Sequence, residues 1–186
     1  GKLVGRTYVK SNVNRAFYPL SVSRKLDGIR ALSRRFYYNN DDEDNDNSED
    51  KMEDKMEDKM EDNKEYNVQM DWRENNDFPY LNHIKKELSE FLSILPPNSV
   101  LDGELYLHSA IFNNIISAVK TKKKKHKDNE KIQYHIYDII EDKTLTWTKR
   151  YHLLKSAYIS YIKTTFDITV NEDINDNPSS IKFVES

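Results

Sequence analysis

Residues 39–67 constrain this chain most, because they cannot contribute to a core. The tract repeats Lys-Met-Glu-Asp three times, at 51–54, 55–58 and 59–62, with one apolar residue per repeat. A four-residue period would support charge pairing along a helix. The charge is too one-sided for that to dominate: residues 41–62 hold 13 Asp and Glu against 3 Lys, a net of −10. Low hydrophobicity with high net charge makes this an expected disordered insertion. On either side the pattern changes. Phe36-Tyr37-Tyr38 alternates into the tract, and Tyr66-Asn67-Val68-Gln69-Met70-Asp71-Trp72-Arg73 alternates out of it. Two extended segments around a polar stretch read as one hairpin with an enlarged tip, where extra length costs little.

The fold must then come from the rest of the 186 residues. With −3 overall and −10 in residues 41–62, the remainder carries +7, which suits a polyanionic partner. A hydrophobic share of 37%, with 12 tyrosines, supports a modest core and one domain or one and a half. The absence of cysteine excludes a disulfide scaffold and a thiolate metal site and is consistent with an intracellular chain, cytoplasmic or nuclear. No apolar run approaches the roughly 20 residues that cross a bilayer, so no membrane partner is expected. No signal peptide is visible. A start at Gly1 instead of methionine leads us to expect a fragment or a processed chain.

Residues 1–17 carry no motif. Tyr18-Pro19-Leu20-Ser21-Val22 reads as a strand, and residues 31–38 as another. Between them lies Ser23-Arg24-Lys25-Leu26-Asp27-Gly28-Ile29-Arg30. Gly28 is one of only four glycines, so its place implies a tight bend or a close backbone approach to a ligand. Lys25 is a candidate nucleophile. Free lysine titrates near roughly 10.4 and is unreactive at neutral pH. Desolvation, or a cation such as Arg24, Arg30 or a metal ion, would lower that value. A surface hairpin with a Lys25–Asp27 salt bridge accounts for the same six residues.

After Asp77-Phe78-Pro79, Leu81, Ile84, Leu88, Phe91, Leu92 and Leu95 form one helical stripe, stopped by Pro96-Pro97. In the strand Val100–Leu107, Asp102, Glu104 and Tyr106 share one face, and Leu101 and Leu105 the other. Two carboxylates aimed alike are costly unless a cation sits between them. Ser109 is placed to cap a helix carrying Phe112, Ile115, Ile116 and Val119. The basic run 122–127 reads as a solvated loop or a nucleic-acid contact. Ile132–Ile140 is rich in β-formers and predicts a buried strand, with Tyr137 and Asp138 on opposite faces. Thr146 begins a last helix with Trp147, Tyr151, Leu154, Tyr158 and Ile162 along one side, and Ile181–Val184 predicts a further strand.

Three segments, Lys25-Leu26-Asp27-Gly28-Ile29-Arg30, Leu101-Asp102-Gly103-Glu104-Leu105-Tyr106 and Tyr134-His135-Ile136-Tyr137-Asp138-Ile139-Ile140, stand in this order. The order resembles the first three signature motifs of the covalent nucleotidyltransferases: ATP-dependent DNA ligases, RNA ligases and messenger-RNA capping enzymes. The resemblance runs from about residue 18 to the end and looks closest to the small ATP-dependent DNA ligases of viruses and phages. Asp71–Pro79 is similar to that family's strand end, turn and helix start. The resemblance implies an α+β fold: a nucleotidyltransferase (ATP-grasp-like) adenylation core of antiparallel sheets flanked by helices, with nucleotide between the sheets.

Roles follow from the resemblance alone. Lys25 would attack the α-phosphate of ATP, forming a lysine–AMP phosphoramidate. Asp27 would hold the lysine bend. Arg30 would contact ribose or phosphate. Glu104 would act through the sugar or a bound Mg²⁺ ion. Tyr137 would stack on adenine, and Ser23 would touch it. Arg73 would meet the 5′-phosphate of a nicked duplex, DNA or RNA, and the protein would act as a monomer. A GTP-using capping guanylyltransferase, an RNA ligase, an NAD-using ligase and a non-catalytic nucleic-acid-binding remnant are the other readings. The family's later glutamate and lysine motifs and its OB-type barrel do not appear up to Ser186. Residues 1–186 are therefore expected to be a partial adenylation domain, with weak or absent ligation alone.

Overall fold

The computed structural model describes residues 25–36, 67–71, 78–108, 112–120, 125–140, 145–170 and 173–186. The expected strand at 18–22, Ser109, the tract 39–66 and the lysines at 122–124 lie outside the described residues.

Strand β1 (Ile29–Arg35) alternates: Ile29, Ala31 and Ser33 are buried, and Arg30, Leu32 and Arg34 face the other way. It begins two residues earlier than expected, so Arg30 lies within the strand and not in the bend. Strand β2 (Val68–Asp71) pairs antiparallel with it, from Leu32 opposite Asp71 to Arg35 opposite Val68. The Phe36 N–H donates to the Asn67 carbonyl at 3.2 Å, so the acidic tract joins two hydrogen-bonded strand ends. The hairpin expectation holds for those ends.

Helix α1 (Asn82–Ser93) buries Ile84, Leu88, Phe91 and Leu92, with Leu81 and Leu95 buried just beyond its ends. Each such side chain contributes about 1.5–3 kcal/mol when fully buried. The helix packs on β1 and β2. Asn98 turns the chain in a left-handed conformation (φ 66°) before β3 (Val100–Tyr106). Helix α2 (Phe112–Lys120) and a 3₁₀ turn (Asn129–Lys131) lead into β4 (Gln133–Ile140). Helix α3 (Trp147–Phe166) packs on β4 and buries Leu154, Tyr158, Tyr161 and Ile162. Trp147, expected on that apolar side, is exposed and stacks on Tyr151 at 5.2 Å between ring centroids. Thr146 occupies the cap position, without a side-chain capping hydrogen bond.

The chain is mixed α+β. Among the described residues there is one five-stranded sheet, ordered β2-β1-β3-β4-β5, where β5 is Ile181–Phe183. The expectation of antiparallel sheets needs correcting, because β4 and β5 run parallel. Helix α3 has 20 residues, roughly 30 Å of rise, and carries the chain back to the start of β4 before β5 begins. The outer edge of β5 is closed by the Asn175 side chain. Its amide donates to the Phe183 carbonyl at 2.7 Å and accepts the Phe183 N–H at 2.8 Å, as a neighbouring strand would.

A second correction concerns β4. It pairs with β3 through Asp102 opposite Asp138, and then Gly103 opposite Ile136. Tyr137 is the extra residue of a β-bulge. The bulge breaks alternation, so Tyr137 and Asp138 are both half-buried and do not lie on clean opposite faces. No helix among the described residues is long and apolar enough to cross a membrane.

Candidate active site

The register brings the three sequence-distant segments together on the sheet face turned away from Ile29, Ala31, Leu101 and Leu105. Arg30 lies opposite Glu104, and Leu32 opposite Asp102. Residues directly opposite in adjacent strands share a face.

Gly28 opens the site. Its N–H donates to Glu104 Oε1 at 2.9 Å. A Cβ there would lie 2.2 Å from the Leu105 carbonyl oxygen and 2.8 Å from Glu104 Cγ. Its φ is not positive. Glycine is required here for the close approach of the Lys25 turn to β3. The approach expected toward a ligand is made toward the protein's own backbone.

Arg30 and Asp102 form a two-pronged pair. Nε donates to Oδ1 at 2.8 Å, and Nη2 donates to Oδ2. The parallel geometry makes this a strong charge-assisted contact. Asp102 is 2% exposed, so its charge is held by that guanidinium. The Tyr137 hydroxyl lies beside both groups. The two carboxylates of β3 thus have their counter-groups: Asp102 has Arg30, and Glu104 has the Gly28 amide and the Lys25 charge. Burial pushes the Glu104 carboxyl above its ordinary pKa, and the Gly28 N–H and Lys25 oppose this. Burial, then Asp102, raises the Tyr137 phenol.

Lys25 departs from expectation. Its ammonium donates to Asp27 Oδ1, and both side chains are exposed. Asp27, through that hydrogen bond and its charge, raises the lysine pKa, and Glu104 adds to this against a smaller desolvation effect. Desolvation, which would lower the value, is outweighed by Asp27. The bend and the Lys25–Asp27 salt bridge are both present.

Lys25, Asp27, Arg30, Glu104 and Tyr137 are therefore neighbours through Gly28 and Asp102, while Ser23 and Arg73 lie outside the described residues. Two features carried no local sequence signal. Asp102 was legible as a carboxylate in need of a cation, but not as the anchor of Arg30. Asp138 is gripped by Arg150 of α3, Nε to Oδ1 and Nη2 to Oδ2 at 2.9 Å each, with Nη1 donating to the Leu145 carbonyl at 2.9 Å. That pair fixes the strand beside the bulge to the start of α3.

Among the described residues no three carboxylates or histidines gather as a metal cage. One oxygen of Glu104 is committed to the Gly28 N–H.

No protein-family model matches the chain, and no curated protein does. Solved structures do. "Pmar-Lig_Pre." is 21% identical with a TM-score of 0.52, over 88% of this chain and 29% of that one. "Pmar-Lig_PreS3" is 21% identical with a TM-score of 0.53, over the same 88% and 29%. "New Crystal Structure of Chlorella Virus DNA Ligase-Adenylate" aligns at 20% identity and a TM-score of 0.38, over 88% and 41%, a value that carries no argument. The chain spans less than a third of the length of the first two. The likeness is one of fold, and the fold of this chain is ligase-like in that sense.

Proposed function

We propose that this chain belongs to an ATP-dependent polynucleotide ligase and carries its lysine-adenylylation chemistry. The observation that supports this reading is the Gly28–Glu104 clamp on the Lys25 turn, set beside Arg30 and Tyr137 around one buried carboxylate, Asp102.

Lys25 Nζ loses a proton and attacks the α-phosphorus of ATP. A P–N bond forms, and the bond to the bridging oxygen breaks. Pyrophosphate leaves with the electron pair. A 5′-phosphate oxygen of a nicked strand then attacks the same phosphorus, the P–N bond breaks, and Lys25 regains its proton. Finally a 3′-hydroxyl attacks the 5′-phosphate and AMP departs. Such transfers need alignment and charge stabilisation more than covalent machinery. Asp27 aims the lysine through its direct contact. Arg30 offers its positive charge to ribose or phosphate, and Tyr137 offers its ring to adenine. Glu104 would hold magnesium through its remaining oxygen, and the ion would add positive charge at the phosphates.

The test is incubation with labelled ATP, GTP and NAD in turn, followed by denaturing gels. Covalent label from ATP, lost in Lys25→Ala, is expected. Label from GTP alone would make the chain a capping-type enzyme. Nick binding that persists in Lys25→Ala, with no label from any nucleotide, would make it a nucleic-acid-binding remnant.

A further inference from the structure

Beneath the Arg30–Asp102 pair, on the opposite side of the sheet, runs the side chain of Tyr134. It is fully buried. The ring passes under Gly103: a Cβ at 103 would lie 2.7 Å and 2.8 Å from its Cε2 and Cζ. The hydroxyl reaches two strands away from β4. It donates to the Ala31 carbonyl at 3.0 Å and to the Leu101 carbonyl at 3.2 Å, one proton shared between two acceptors. Ser33 Oγ donates weakly to it at 3.4 Å. On the other side, the Tyr134 N–H donates to the Ser180 carbonyl at 2.8 Å. One residue thus touches the chain from the start of β5 to β1.

The two carbonyls are not arbitrary. Ala31 follows Arg30, and the Leu101 carbonyl belongs to the peptide that begins Asp102. A shared proton there ties β1 to β3 directly under the two side chains that pair above. The same ring fills the space beside Gly103, where the register slips and Tyr137 bulges out. A buried hydroxyl kept at this cost needs partners, and those partners are the backbone of the site.

We infer that Tyr134 is a positioning residue: its hydroxyl, bridging the Ala31 and Leu101 carbonyls, sets the placement of Arg30 on Asp102, and through them of Tyr137. Its bearing on nucleotide binding rests on the function proposed above, whereas its effect on Arg30 does not. The proton exchange of Arg30 Nε–H, followed by NMR in the full chain and assigned with Arg30→Lys, reads it directly. Tyr134→Phe keeps the ring under Gly103 and removes only the oxygen. Arg30 Nε–H exchange is expected to quicken about fivefold or more, the effect of losing one hydrogen bond. Replacing Tyr134 by 4-aminophenylalanine, which can donate to both carbonyls, is expected to restore the parent rate. Unchanged exchange in Tyr134→Phe would overturn the inference. So would loss of cooperative melting in that variant, which would make Tyr134 a requirement of the whole fold. Failure of ATP to label the parent chain would instead count against the proposed function and leave the exchange result standing.

Discussion

Asp27 favours the charged form of the Lys25 amine through its hydrogen bond and its charge. The pair is exposed, so its worth to stability is small. Its effect on protonation is clear in sign. The folded-state pKa lies above the ordinary value. The pair's contribution is therefore whole below the unfolded-state pKa and is lost as pH rises through the folded-state one, a window above roughly 10.4. Asp27→Asn is expected to move the midpoint of Lys25 modification by an amine-specific reagent to lower pH, read by peptide mass spectrometry across pH 8–12. A midpoint that stays put would show that Asp27 does not govern the amine. For catalysis the sign matters too. Under the proposed function, the lysine would have to lose this proton before attacking, and desolvation or an approaching cation would favour that loss.

At the scale of elements, the site depends on Gly28 lying close against β3 where the lysine turn runs into β1. Gly28→Ala would put a methyl group 2.2 Å from the Leu105 carbonyl. Overpacking of that kind costs about 1–3 kcal/mol, and it would push Gly28 N–H off Glu104. We expect a lower urea midpoint together with loss of covalent label from ATP. Parent-like values in both would show that the close approach to β3 does not require a glycine. Much of this architecture was legible beforehand. The stripe from Leu81 to Leu95 and the shared face of Asp102 and Glu104 are local periodicities, and the helix and strand they predict are present. The bulge at Tyr137, the parallel docking of β5, the Arg150 grip on Asp138 and the strut made by Tyr134 were not legible. Each depends on partners 12 to 103 residues away, and no local periodicity says which of them will meet. At Lys25 the salt bridge with Asp27, legible as one of the two sequence readings, outweighs desolvation and raises the pKa.

Across the whole molecule, charge is divided between two regions, −10 in residues 41–62 and +7 elsewhere. The strand ends on either side of that tract are already joined by the Phe36–Asn67 hydrogen bond. Replacing residues 39–64 by a short hairpin turn should therefore leave the melting temperature within a few degrees, since closing a longer loop costs only weakly more with length. The shortened chain should bind nicked duplex more tightly than the parent, with an affinity that falls steeply as salt rises. Equal binding by both chains, measured by gel shift over a salt series, would mean that the acidic tract exerts no force on a polyanion. The proposed adenylylation turns on one atom, Lys25 Nζ, and one P–N bond. Incubation of the chain with ATP and magnesium, followed by peptide mass spectrometry under mildly alkaline conditions that preserve phosphoramidates, tests it most directly. An AMP adduct on Lys25, removed by brief acid treatment, is the predicted result; an unmodified Lys25, or an adduct on another lysine, would contradict it.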